Sequence, residues 1–121
     1  MQSNTFSLLR ELVSADAVAL RVRGTCMTPR IAEGALLQVR PAFALPGDVL
    51  VFRTPAGDIA AHRLLGWRRS GFVTKGDHAV GHDAPVRREN VLGVAAVPVS
   101  PLDRARALAT FVRLAWRKLT R

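Results

Sequence analysis

The chain has 121 residues, 49% of them hydrophobic, which suits one domain with a real core. Lys and Arg outnumber Asp and Glu by 18 to 9, so acidic surfaces are favoured partners, but nearly all the cations are arginine, which weakens the charge as a nucleic-acid signal. A single cysteine excludes an internal disulfide framework, no apolar stretch approaches the ~20 residues that span a bilayer, and Arg10 and Glu11 interrupt the N-terminus too early for a secretory signal.

In chain order, Phe6, Leu9, Leu12 and Val13 recur at helical spacing, which predicts a short helix over residues 5–13 with Asn4 or Thr5 as its cap. Residues 17–23 alternate apolar and polar and read as a strand. A turn or short helix from Arg30 to Gly34 leads to a strand over Leu36–Val39, a loop over Ala42–Gly47 and a strand over Val49–Arg53. Thr54-Pro55-Ala56-Gly57-Asp58 is a turn signal, so the strand that follows, Ile59–Trp67, pairs with its predecessor as a hairpin. After a turn over Arg68–Gly71, Phe72–Lys75 is a strand and Gly76–Pro85 a polar loop, whose edge is Val86–Asn90. Val91–Val99 is a strand closed by Pro98 and Pro101. Leu102–Leu119 is a helix with Ala105, Leu108, Ala109, Val112, Ala115, Trp116 and Leu119 on one face and Arg106, Arg113 and Arg117 opposite; Asp103 near its start and Lys118 near its end suit its dipole. That apolar face packs on the domain in the simplest reading; the alternative is a basic amphipathic helix on an anionic membrane.

Three segments bear on chemistry. Gly24-Thr25-Cys26-Met27-Thr28-Pro29 places a small nucleophile between a glycine and a Met-x-Pro turn. Leu45-Pro46-Gly47-Asp48-Val49-Leu50-Val51-Phe52 is a turn running into a strand. Ala61-His62-Arg63-Leu64 is followed by Thr74-Lys75-Gly76-Asp77-His78-Ala79-Val80-Gly81-His82-Asp83. In this order they resemble the signal peptidase and LexA-type peptidase superfamily: its G-x-S-M-x-P nucleophile motif with Cys for Ser, its "PGDVVVF" strand, and the "HRV" and "TKGDNNAVDD" segments of the endoplasmic-reticulum and archaeal signal peptidases. The resemblance covers roughly residues 18–97 and adds no assignment for either end.

What the resemblance implies is a mainly β core of coiled antiparallel sheets; with the short N-terminal and longer C-terminal helices read from periodicity, residues 1–121 make one domain. Cys26 would be the nucleophile, His62 its base and Asp83 the orienter of His62, with the backbone N–H groups of Cys26 and Thr25 as oxyanion donors. Met27 and Pro29 would contact substrate, and Asp77 would be structural, accepting hydrogen bonds within its loop. A thiol, with an unperturbed pKa near 8.5, forms a reactive thiolate when a neighbouring His takes its proton. Two departures matter. Cysteine replaces the usual serine, and Gly24 lacks the hydroxyl that many signal peptidases add to the oxyanion site. Bacterial signal peptidases and LexA-type repressors use a lysine base, and the matching strand has none here.

The leading reading is an endopeptidase that removes a leader or signal segment from a peptide or protein. The alternative is a non-catalytic or impaired peptide-binding, regulatory domain on the same fold. A nucleic-acid regulator is weaker, because about two dozen residues before Cys26 are too few for a three-helix DNA reader. His78 and His82, with Cys26, His62 and Asp83, also compose a zinc donor set, but the spacing falls in a glycine-containing loop, and neither metal nor cofactor is expected. The expected location is cytoplasmic, with peripheral membrane contact through the C-terminal helix as the alternative to a free domain.

Overall fold

A computed structural model of the protein describes residues 3–15, 18–21, 36–41, 43–77 and 85–119. The elements are helix α1 (Ser3–Ala15), strands β1 (Val18–Arg21), β2 (Leu36–Arg40), β3 (Val49–Arg53), β4 (Ile59–Arg68), β5 (Gly71–Lys75) and β6 (Val91–Ala95), and helix α2 (Pro101–Leu119). The strands form one six-stranded sheet in the order β1-β2-β6-β3-β4-β5, antiparallel at every pairing. The protein is therefore mainly β, with a shorter helix at the front and a longer one at the back. The expected turn over Arg30–Gly34 and residues 17 and 22–23 of the expected first strand lie outside the described residues.

The β3–β4 hairpin forms where the Thr54–Asp58 turn signal predicts it: the Thr54 N–H donates to the Asp58 carbonyl at 2.8 Å and Gly57 adopts φ 91°. The last strand ends at Ala95 rather than Val99. Ala96 still donates to Gln38 of β2, but Val97 turns back to Ala95, and Pro98 has no N–H with which to continue the ladder. Val86, expected at the edge of a loop, instead forms a two-bond bridge with Phe72 on the outer side of β5.

Strand alternation divides the core. On one face, Val49, Val51, Ala61, Val39, Leu37 and Ala95 pack with Phe6 and Val13 of α1. Leu65 and Val73, further along β4 and β5, pack with Ala107 of α2 beside Phe111 and Leu114. On the other face, Leu50, Phe52, Ala60 and Val86 form a separate cluster with Ala44, Phe72 and Val91. Leu12, predicted on the buried face of the first helix, is 60% exposed: Phe6 and Val13 fill the interface, and Leu12 points away from it.

The second helix corrects the sequence reading more sharply. Its start is sealed by a reciprocal cap in which Ser100 Oγ accepts the Asp103 N–H at 3.1 Å and Asp103 Oδ2 accepts the Ser100 N–H at 3.0 Å. Pro101 takes the first helical position, where no N–H is needed. The face that packs carries Arg104, Ala107, Phe111 and Leu114, whereas Ala105, Leu108, Ala109, Val112 and Trp116 of the expected packing face are exposed. Two glycines receive the helix. A β-carbon at Gly66 would stand 2.7 Å from the Phe111 ring, and one at Gly47 (φ 98°) 2.9 Å from the Arg104 Cα.

Candidate functional site

His62 lies near the middle of β4, in register with Leu50 of β3. It shares a sheet face with Ala60 and Leu64, away from the two helices, because β4 alternates sides residue by residue. The side chain is half-buried, and its ring meets Phe52 edge-on, with centroids 5.5 Å apart and planes at 79°. An imidazole in this position is held by a rigid strand and a packed aromatic rather than by a loop, which suits a group that must keep one orientation while exchanging a proton.

The next residue does something different. Arg63 points to the helix-covered face and is buried. Its Nε and Nη2 donate to the two carboxylate oxygens of Asp77 at 3.0 and 2.6 Å, and its Nη1 donates to the Gly47 carbonyl at 2.8 Å. This bidentate fork fixes Asp77 at the point where the chain leaves β5. Asp77 thus engages the Arg63 side chain, a partner the sequence reading did not anticipate when it assigned Asp77 hydrogen bonds within its own loop.

The Leu45–Asp48 turn joins the same network. Asp48 Oδ2 accepts the Leu45 N–H at 2.7 Å, and its Oδ1 takes Arg104 of α2 at 3.1 Å. Arg104 also donates to the Pro46 carbonyl at 3.1 Å, while Gly47 and Leu64 bond across the hairpin through Gly47 N–H to Leu64 O and Leu64 N–H to Asp48 O. The Pro-Gly-Asp segment is therefore a structural junction of β3, β4 and α2. Sequence reasoning missed Arg63, Asp48 and Arg104 as its members. A signal was available for Arg63: a cation at an inward position of an apolar strand needs a buried acid.

A cleft of about 810 Å³ runs along the sheet past the β4–β5 turn, and His62 itself does not line it. Leu50, the cross-strand neighbour of His62, lines it together with Phe43, Trp67, Phe72, Arg68 and Arg87. Phe43 is 82% exposed and Trp67 49%, so the cleft offers apolar surface rimmed by cations. Cys26, Thr25, Met27, Pro29 and Asp83 lie outside the described residues, as do His78 and His82. Of the expected site residues, the structure therefore locates His62 and Asp77, on opposite faces of β4. No family model matches the chain, and no curated protein matches it.

Proposed function

We propose that the chain is an endopeptidase of the signal peptidase type, on a coiled sheet like that of the LexA-type peptidases, cleaving a leader or signal segment from a peptide or protein. The observation that carries the reading is the placement of His62: an imidazole on a central strand, braced by Phe52, whose cross-strand neighbour Leu50 lines a cleft of about 810 Å³. The Arg63–Asp77 fork adds support. It ties Asp77 to Arg63, whose side chain points to the face opposite His62, and so supports a structural rather than an orienting role for Asp77.

In this reading His62 takes the Cys26 thiol proton as the sulfur attacks the scissile carbonyl. The backbone N–H groups of Cys26 and Thr25 receive the oxyanion. Collapse of the tetrahedral adduct breaks the C–N bond, and the proton on His62 leaves with the amine. Water, deprotonated by His62, then hydrolyses the thioester and restores the thiol. Met27 and Pro29 shape the path of the bound strand, and Asp83 keeps the His62 ring in one tautomer.

The test is alkylation of Cys26 by iodoacetamide at neutral pH. His62→Ala should slow labelling at least about tenfold, because the group that draws off the thiol proton is gone. Equal rates in the two proteins would remove His62 as the activating base. Peptides with small residues before the cut then separate the two readings, in the natural form and in Cys26→Ser. A second reading, a peptide-binding domain without catalysis, is favoured by the cleft, whose apolar and cationic lining needs no nucleophile to hold a peptide. Peptide binding without cleavage by either form would establish it.

A further inference from the structure

The outward face of α2 is an exposed apolar feature that neither the core nor the proposed peptidase chemistry uses. With Ala107, Phe111 and Leu114 committed to β4 and β5, the helix turns Leu102, Leu108, Val112 and Trp116 to solvent, at 56, 48, 62 and 66% exposure. At 100° per residue, Leu108, Val112, Ala105, Trp116, Ala109 and Leu102 form one continuous stripe. Arg113, Arg106 and Arg117, all exposed, follow it along one edge. From Arg104 to Arg121 the sequence has six cations and no Asp or Glu.

We propose that α2 seats the domain on an anionic lipid surface, with Leu108, Val112 and Trp116 in the headgroup–acyl boundary and Arg106, Arg113 and Arg117 on the lipid phosphates. The chemistry matches at three levels. The stripe is apolar, its border is cationic, and a tryptophan lies near its end, where an amphipathic ring suits the interface. The geometry also favours a fluid partner. A single helix flank is a narrow, convex ridge, whereas a stable protein partner needs on the order of 1,000 Å² of complementary surface. A second copy of this chain is disfavoured because no carboxylate follows Asp103 to answer the arginine row, and pairing two such faces brings like charges together. No helix among the described residues is long and apolar enough to cross a membrane, so the contact lies along the surface. This inference does not depend on the peptidase reading.

The experiment is flotation of the full chain with phosphatidylcholine vesicles, with and without phosphatidylglycerol. Phosphatidylglycerol should tighten binding by roughly a hundredfold, as three arginines near a charged surface would, and salt should reverse the gain. The double substitution L108E/V112E should release the protein from vesicles and leave its thermal melt unchanged, because both positions are exposed. Leu8→Glu on α1, equally exposed, should leave binding intact. In the W67F protein, Trp116 is the only tryptophan and its emission should shift to the blue on anionic vesicles. Binding that ignores phosphatidylglycerol, or that survives L108E/V112E, overturns the proposal. So does the absence of vesicle binding, and a concentration-dependent dimer broken by the same substitutions would then identify the stripe as a self-association surface.

Discussion

The two faces of the β3–β4 hairpin differ in what they are built to do. The helix-covered face holds Val49, Val51, Ala61 and Leu65 against α1 and α2; of its charged side chains, Arg53 stacks on Phe6 and the buried Arg63 is tied by hydrogen bonds to Asp77 and Gly47. On the other face the half-buried His62 meets Phe52 among buried neighbours, and a cleft that Leu50 lines runs further along the sheet. Adjacent residues of one strand, His62 and Arg63, therefore serve opposite ends. A buried cation whose Nε, Nη1 and Nη2 each donate to a fixed acceptor has little freedom to act on anything else, while the neighbouring imidazole is only half-buried. The contrast teaches that the two-residue period of the strand puts a buried, bonded cation and a half-buried imidazole on opposite faces of one hairpin.

Substitutions test that separation. Leu65→Ala removes a side chain that is 3% exposed and packs on Ala107, and should cost about 3–4 kcal/mol in urea unfolding, from lost burial and the cavity left behind. Arg63→Ala should follow at about 2–3 kcal/mol, because it leaves the Gly47 carbonyl without its donor and Asp77 without its fork. The loss stays below that of a fully buried pair, since the Asp77 side chain is 31% exposed and can turn to water. Arg63→Lys should recover only part of it, because an ammonium cannot reproduce the bidentate geometry. His62→Ala should cost least, under about 1 kcal/mol, and on the proposed peptidase reading it should slow cleavage far more than either scaffold change. A loss of stability from His62→Ala as large as that from Leu65→Ala would make His62 a core residue and dissolve the contrast between the faces.

Local pattern was a good guide where one residue type decides the backbone. The turn at Pro55-Ala56-Gly57 and the strand with His62 were legible, because turn formers act within a few residues, whereas the last strand stops at Ala95, four residues before the expected Val99. The candidate chemistry was legible only as an order of residues. Cys26, His62 and Asp83 are far apart in sequence, and no spacing rule brings them together; His62 could be assigned to a strand, but not to the face with Phe52.

The sequence by itself determined that the protein is mainly β with two amphipathic helices, since the periods of 2 and 3.6 are local properties of the chain. Which side of α2 faces the sheet was decided by tertiary structure alone. That helix carries apolar residues over most of its circumference, so periodicity finds a stripe through Leu108, Val112 and Trp116 as readily as one through Ala107, Phe111 and Leu114. The choice was made by long-range complementarity. Gly66 leaves room for the Phe111 ring, Gly47 admits the Arg104 backbone, and Asp48 pairs with the Arg104 guanidinium, three partners set 45 to 57 positions earlier in the chain. Close packing selects the face that fits its neighbours, and that fit is not a property of the helix alone.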